Sequence, residues 1–509
     1  MDKQDRFGAR GIYFTDVFQI DPQVLADYGA FNVCPWIDMP LFIDPFLLFA
    51  SEKQEYQQLH DQIIGYLLYL RNHAIESKFL SEGNLRYLYC FKEVFQNCLG
   101  FTVDGIRGAG LGPTFGRALH KNLNKLLDNF GEESITDGSH FEKLSLIEPG
   151  VGRDKISDLT TNLIKGFLLQ YTETFAIQNI DPKFRKKFSV NKAQFDETTG
   201  LWHARQYDLP SLGEDFILLT PEDILTKDDT WINKEEFKKD FLHIRDSISD
   251  IELRDRVTEY FEARLPKRFE KNRFGQLEEK PPTQSDKNDA IQKTLREFPE
   301  IIDHYIKQKE EKGEEALKRA AEKVASVKGQ LVDSVRLLVS LLEETGDFFK
   351  CGTNSISEAQ KKIEWFKHVI EDKDGYRAFY HNGEPVRLEK NFQAMFKLVW
   401  EGSSFSCDAE VNNGRGPVDF KVSKGDADQT LIEFKLANNT NLRSNLENQV
   451  EIYKKANNAT QAFKVIIYFT EGELSRIKSI LPDLDEAQRA GIILIDARSD
   501  NKPSASKAR

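Results

Sequence analysis

Sulfur is scarce in this 509-residue chain, which holds five cysteines and three methionines. The cysteines, Cys34, Cys90, Cys98, Cys351 and Cys407, are odd in number, scattered and without a CxxC pair. That excludes a disulfide framework and a zinc ribbon and points to reduced thiols in a cytoplasm. Long apolar runs are also lacking. The most apolar stretch, Met39–Ala50, is broken by Pro40, Asp44 and Pro45, and it falls short of the roughly 18–20 uninterrupted apolar residues that a membrane span needs. Met1–Arg10 is charged, and no signal-type apolar core follows it. There is no surplus of base: Lys+Arg of 70 against Asp+Glu of 82 leaves −12. This excludes a protein that coats nucleic acid by charge alone. Any nucleic-acid contact must be local, or helped by metal ions that offset carboxylate–phosphate repulsion.

What is present is apolar area under a polar surface. Hydrophobic residues make up 40% and charged residues 30%, and 37 Phe, 15 Tyr and 5 Trp supply cores that a disordered chain cannot build. At roughly 100–200 residues per domain, the length implies two to four domains. The expectation is a soluble, cytoplasmic, multidomain α+β protein with no membrane partner.

Residues 1–275 mix strand-like and helix-like patterns and read as an N-terminal α+β region. Gln54–Glu76 carries Leu59, Ile63, Tyr66, Leu67 and Leu70 at helical spacing, and Ala118–Phe130 and Ile156–Phe175 look helical. Leu201–Tyr207 and Phe216–Leu219 look like strands, and Thr220-Pro221-Glu222-Asp223 has the chemistry of a helix start. The Pro-, Gly- and polar-rich Gly275–Asp289 is the best linker. Residues 286–380 then read as a helical connector. In it Val324, Val327, Leu331, Val335, Leu338 and Leu342 recur every three or four residues, forming an arm, a brace or the seam of a dimer. The tail, 499–509, is expected to fray.

Residues 385–498 have the clearest pattern: an amphipathic helix over Glu389–Trp400, strands over Ser406–Val411, Val418–Val422 and Thr430–Leu436, a helix over Asn445–Ala456 and a strand over Lys464–Phe469. A late helix at Glu471–Leu481 and a last strand at Gly491–Asp496 complete an αβββαβ order with an added αβ. Within it Asp419 is followed thirteen residues on by Ile432-Glu433-Phe434-Lys435. Alternation in a strand sends Glu433 and Lys435 to one face and Ile432 and Phe434 to the core. If Val418–Val422 pairs with Thr430–Leu436, Asp419 lies beside Glu433. Two carboxylates with carbonyl and water oxygens suit a hard cation such as Mg²⁺ (or Mn²⁺). Such an ion draws phosphate to an acidic site and lowers the pKa of bound water, while Lys435 steadies developing negative charge. That is chemistry for hydrolysing a phosphodiester.

These residues resemble the PD-(D/E)XK nuclease superfamily, through Asp419, the Glu433-Phe434-Lys435 triplet and the preceding helix with Glu389. Asn448-Gln449 and Tyr453 match the Q-x-x-x-Y helix of RecB-like members, and at i, i+4 spacing Gln449 and Tyr453 share a helix face. The resemblance implies a restriction-endonuclease-like α/β domain with a mixed sheet. It implies Asp419 and Glu433 as metal ligands, Lys435 as the catalytic lysine, and Glu389 as an auxiliary acid, with Glu410 as its rival. It covers only the C-terminal domain. The style also resembles nuclease modules of bacterial anti-phage defence proteins, which join a sensor to this fold. The function expected is a metal-dependent nuclease, with DNA favoured over RNA and the connector making a homodimer. The alternative is a catalytically inactive module of the same fold that binds nucleic acid or a protein partner. In residues 385–509, 18 basic residues stand against 17 acidic, so the acidic surplus lies upstream. Arg415, Lys421, Lys424, Arg443, Lys454 and Lys455 are candidates for phosphate contacts.

Upstream signals are weaker. Gly108–Pro113 offers backbone N–H groups near Arg107 and Arg117, but it lacks a Walker ending and reads first as a turn. Glu148, Arg153, Asp154 and Asp158 surround a helix start, where acids are explained by the dipole before any second metal. His203 and Arg205 share a strand face. Asp44, inside an apolar run, needs a hydrogen-bond donor if buried.

Overall fold

The structure, a computed structural model, describes residues 13–502 apart from 36–37, 77–79, 101–109, 126–129, 149, 228, 272–276, 334–353, 374, 382–383, 386–391, 394, 397–399, 401–404, 413–416, 424–427 and 450–460. It is a mixed α and β molecule. Among the described residues no helix is long and apolar enough to cross a membrane, and Cys34, Cys90, Cys98 and Cys407 are free thiols.

In the N-terminal region, strand β1 (Phe42–Ile43) leads into helix α1 (Pro45–Ala50) through Asp44, whose carboxylate accepts from the Phe46 N–H at 3.1 Å and the Trp231 N–H at 2.7 Å. Those are the donors that a buried acid requires. Helix α2 (Gln54–Glu76) buries the apolar stripe expected of it. Helix α3 spans Pro113–Lys125. The stretch read as one helix over 156–175 is two, α4 (Arg153–Leu163) and α5 (Lys165–Asn179), broken at Ile164 with φ −94° and ψ 10°. A long hairpin follows, β2 (Arg185–Asp196) with β3 (Leu201–Leu212).

The Thr220-Pro221 helix start yields only a single 3-10 turn, Glu222–Ile224. The chain turns at once into β4 (Leu225–Thr226), which pairs with β1, and the Asp44 N–H takes the Ile224 carbonyl at 3.0 Å. Tertiary pairing therefore outbids a good local start signal.

The segment read as a linker carries structure. Arg268–Lys271 pairs antiparallel with Leu277–Lys280, and Thr283 with Asp286 forms a capping box that starts helix α7 (Gln284–Glu297), after α6 (Lys234–Asp246) upstream. Helices α8 (Ile301–Glu310) and α9 (Gly313–Val327) turn back onto the N-terminal region. The Trp231 indole donates to the Lys309 carbonyl at 3.1 Å, His140 meets Glu310 at 3.0 Å, and the Tyr13 hydroxyl donates to the Leu331 carbonyl at 2.8 Å. Val324, Val327 and Leu331, read as part of an arm, a brace or a dimer seam, are 3%, 0% and 5% exposed within the chain's own core. Their face is already occupied, so in this part of the stretch it leaves no seam. Val335, Leu338 and Leu342 lie outside the described residues.

The C-terminal sheet has five strands: β5 (Ser406–Asn412), β6 (Pro417–Ser423), β7 (Gln429–Leu436), β8 (Gln461–Tyr468) and β9 (Ile492–Asp496), in that spatial order. The first three form an antiparallel meander, and β8 and β9 add in parallel. Helix α10 (Ser355–Asp372), which falls in the stretch read as connector, packs on this sheet. Its Phe366 ring meets Phe434 edge-on at 6.3 Å, and its Ser355 hydroxyl meets Thr430 at 2.8 Å. The helical residues Phe392 and Phe396 add to the same layer, with Phe396 4.9 Å from Phe434. On the other face Leu442, Leu446, Ile466, Ile477 and Ile480 form a smaller core under helix α11 (Glu471–Ile480).

Candidate active site

The site grows from a place where two strands part. The β6–β7 ladder runs from Ser423↔Gln429 to Phe420↔Ile432 and stops there. Beyond it side chains replace the backbone pairs. The Phe434 N–H donates to Asp419 Oδ2 at 2.5 Å, and the Asp419 N–H donates to Glu433 Oε2 at 3.2 Å. Period-two alternation does the sorting. Ile432 and Phe434 are sealed in the core, whereas Glu433 and Lys435 face the other way, with Lys435 Nζ 2.8 Å from Glu433 Oε1. The three expected side chains thus meet in one small volume. Asp419, Glu433 and Lys435 are 9%, 4% and 9% exposed, so only a narrow edge of the group reaches solvent.

Burial of Asp419 raises its pKa well above the ordinary carboxyl range, and the neighbouring Glu433 charge raises it further. Lys435, the Phe434 N–H and a hydrogen bond from the Gln393 side chain pull the other way. Gln393 was not singled out from the sequence. It is 7% exposed and comes from the helical residues that also bury Phe392, Met395 and Phe396. Its signal in the sequence is its place beside Phe392 and Phe396 on an amphipathic helix.

Among the other expected residues, Glu389 and Tyr453 lie outside the described residues, as do Arg415, Lys424, Lys454 and Lys455. Gln449 closes a π-helical turn, Asn445–Gln449, and Glu410 sits in β5; their side chains are outside the description. By register, position 410 falls between Ala409↔Phe420 and Val411↔Val418, across from Asp419. Lys464, opposite Glu433 in the β7–β8 ladder, is a buried lysine. Its ammonium donates to the Gln488 carbonyl at 2.6 Å and the Leu446 carbonyl at 3.4 Å, tying the crossover to the sheet.

Two hard-oxygen carboxylates without sulfur or imidazole fit Mg²⁺, which commonly takes one or two carboxylates and keeps its waters. Among the described residues no group of three or more His, Cys, Asp or Glu gathers as a ready metal cage. Upstream, Arg153 stacks on the Phe42 ring at 4.9 Å, and Glu148 accepts from the Asn122 side chain at 2.9 Å. Both therefore have structural partners. Burial raises the pKa of Asp158 to about 8, and the neighbouring Asp154, Glu93 and Asp38 charges add to the shift. Gly110, with φ +60°, sits where a Cβ would come within 2.7 Å of the Phe91 carbonyl; Gly108 and Ala109 lie outside the described residues. Arg117 pairs with Glu82 at 2.5 Å. His203 lies 3.8 Å from Asp196.

Residues 355–471 match a family model described as "Domain of unknown function (DUF8371)", and residues 19–233 match one described as "Domain of unknown function (DUF8370)". The first of these begins at Ser355, the first residue of α10. No curated protein and no solved structure matches the chain.

Proposed function

We propose that the C-terminal part of the chain is a PD-(D/E)XK-like, metal-dependent nuclease acting on phosphodiester bonds, with DNA favoured over RNA. The observation that carries this reading is the meeting of Asp419, Glu433 and Lys435 where β6 and β7 part. Asp419 and Glu433 would hold a Mg²⁺ or Mn²⁺ ion, which when bound supplies polarisation of a phosphate oxygen and acidification of a water. Lys435 pairs with Glu433 and brings its amine to the same edge, where it would steady negative charge on the phosphate. Gln393 and the Phe434 N–H fix the Asp419 carboxylate, so little reorganisation is left for the reaction. A buried acid–lysine pair is a poor stability device, because its desolvation cost can exceed the Coulombic gain. Its presence here is better explained by use.

One observation favours a second reading, a module of this fold that binds nucleic acid or a protein without cutting: all three side chains are nearly buried. Incubating the full chain with supercoiled plasmid or RNA in Mg²⁺, Mn²⁺ or EDTA separates the two. Cutting that needs metal and falls at least about 100-fold in Asp419→Asn and in Lys435→Met supports the enzyme. Binding without cutting in every condition supports the module.

A further inference from the structure

The N-terminal region holds a cleft of about 940 Å³ between α2, α5 and the β2–β3 hairpin, within the roughly 300–1,000 Å³ of small-molecule sites. It is a built feature. Gly166 lies so close to β2 that a Cβ there would stand 2.8 Å from the Ala193 carbonyl, and a Cβ on Gly65 would strike the Glu197 carboxylate. Gly166 thus lets the hairpin seat on α5, while the Glu197 carboxylate lies against α2 at Gly65. Between Val190↔Arg205 and Gln194↔His203 the ladder slips in a bulge, with Lys192 at φ +49°. Bulges re-aim side chains, and a non-glycine residue in the left-handed region persists only where its surroundings hold it. Here the Lys192 ammonium is tied to the Tyr87 carbonyl at 2.6 Å and the Cys90 carbonyl at 3.2 Å. The result aims Gln194 into the cleft.

The lining has a specific chemistry. Half-buried Phe195 and Trp202 pack together at 5.2 Å on one wall, and half-buried Phe167 lines the wall formed by α5. Gln58 and Gln62, one turn apart on α2, and Gln194 are exposed, and their side chains make no hydrogen bond within the described residues. Aromatic faces stack with bases, and a glutamine amide pairs in bidentate fashion with an adenine edge. Three carboxylates, Glu55, Asp196 and Glu197, stand against one guanidinium and one imidazole, Arg205 and His203. That balance repels polyphosphate, while carboxylates accept ribose hydroxyls.

We propose that this cleft binds a purine nucleoside without its phosphates, through aromatic stacking, glutamine pairing with the base edge and carboxylate contacts to the ribose. The site is independent of Asp419, Glu433 and Lys435. The test is calorimetric titration of the full chain with adenosine, with ATP and maltose alongside. Saturable adenosine binding is expected, weaker for ATP, absent for maltose, and reduced about tenfold or more in Gln62→Ala and in Gln194→Ala. Both glutamines are exposed and unpaired, so these variants fold, which circular dichroism checks; Asp419→Asn should bind adenosine as the wild type does. Failure of adenosine to bind at millimolar concentration overturns the proposal. So does tighter binding of ATP, binding of maltose in its place, or unchanged adenosine affinity in the Gln62→Ala, Gln194→Ala double variant.

Discussion

Asp44 has a carboxylate 2% exposed at the start of α1, and its titration is where one residue governs the stability of the N-terminal core. Burial pushes its pKa from 3.8 to about 6, against the pull of the Trp231 and Phe46 N–H groups and of Lys309 and Lys323. Between those two values the folded chain holds a proton that the unfolded chain has released. Stability from this group is therefore full below about pH 3.8 and is lost as pH rises through about 6. Two pKa units correspond to on the order of 3 kcal/mol. Urea unfolding of wild type and Asp44→Asn from pH 3.5 to 6.5 should show the wild type losing stability relative to the variant by that order as pH rises. A constant offset between them would rule out the assignment. Sequence alone showed that Asp44 needed donors but not which ones, because Trp231 is distant along the chain. The same limit hid Gln393. Asp419, Glu433 and Lys435 were legible because strand alternation and a hairpin are local rules, while the helix that carries Gln393 meets Asp419 only through tertiary packing.

At the level of elements, β9 is held on the sheet by a turn that only glycine fits. Gly491 has φ +73°, a Cβ there would run into the Ala462 carbonyl, and its own carbonyl receives the Lys464 N–H at 2.8 Å. Gly491→Ala should thus cost about 2 kcal/mol or more, by combining left-handed strain with a backbone clash. It should also speed amide exchange along the β8–β9 ladder before the β6–β7 ladder. Thermal unfolding with hydrogen exchange reads both effects, and an unchanged melting temperature would refute the argument. The five strands of this sheet were legible to within a few residues because each alternates or runs apolar between turn residues. Elements whose ends depend on distant partners were not. The Thr220-Pro221 start stops after one turn because β4 must reach β1, and the Gly- and Pro-rich segment near residue 275 belongs to a hairpin and a capped helix.

Over the whole molecule, composition places a boundary near residue 275, whereas packing places the end of the N-terminal body later. Helices α7, α8 and α9 supply partners that the earlier residues cannot do without. Lys143, 3% exposed along its side chain, pairs with Asp303 and Glu133, each at 2.6 Å. His140 and Glu310 form a pair almost out of water, and the Tyr305 ring meets Phe237 edge-on at 5.1 Å. Cutting the chain before α7 strips Lys143 and His140 of buried partners, each loss costing several kcal/mol. It also bares the apolar surface under Trp231, Phe237 and Phe46. Such losses are comparable with the roughly 5–15 kcal/mol that hold a typical domain folded. A fragment ending at Lys280 is therefore expected to aggregate or to unfold without a cooperative transition, whereas one ending at Asp333 should melt cooperatively. Recovery of the shorter fragment as a soluble species with the melting temperature of the longer one would show that α7–α9 are a connector after all, and that the contacts at His140, Lys143 and Trp231 contribute little to the N-terminal fold.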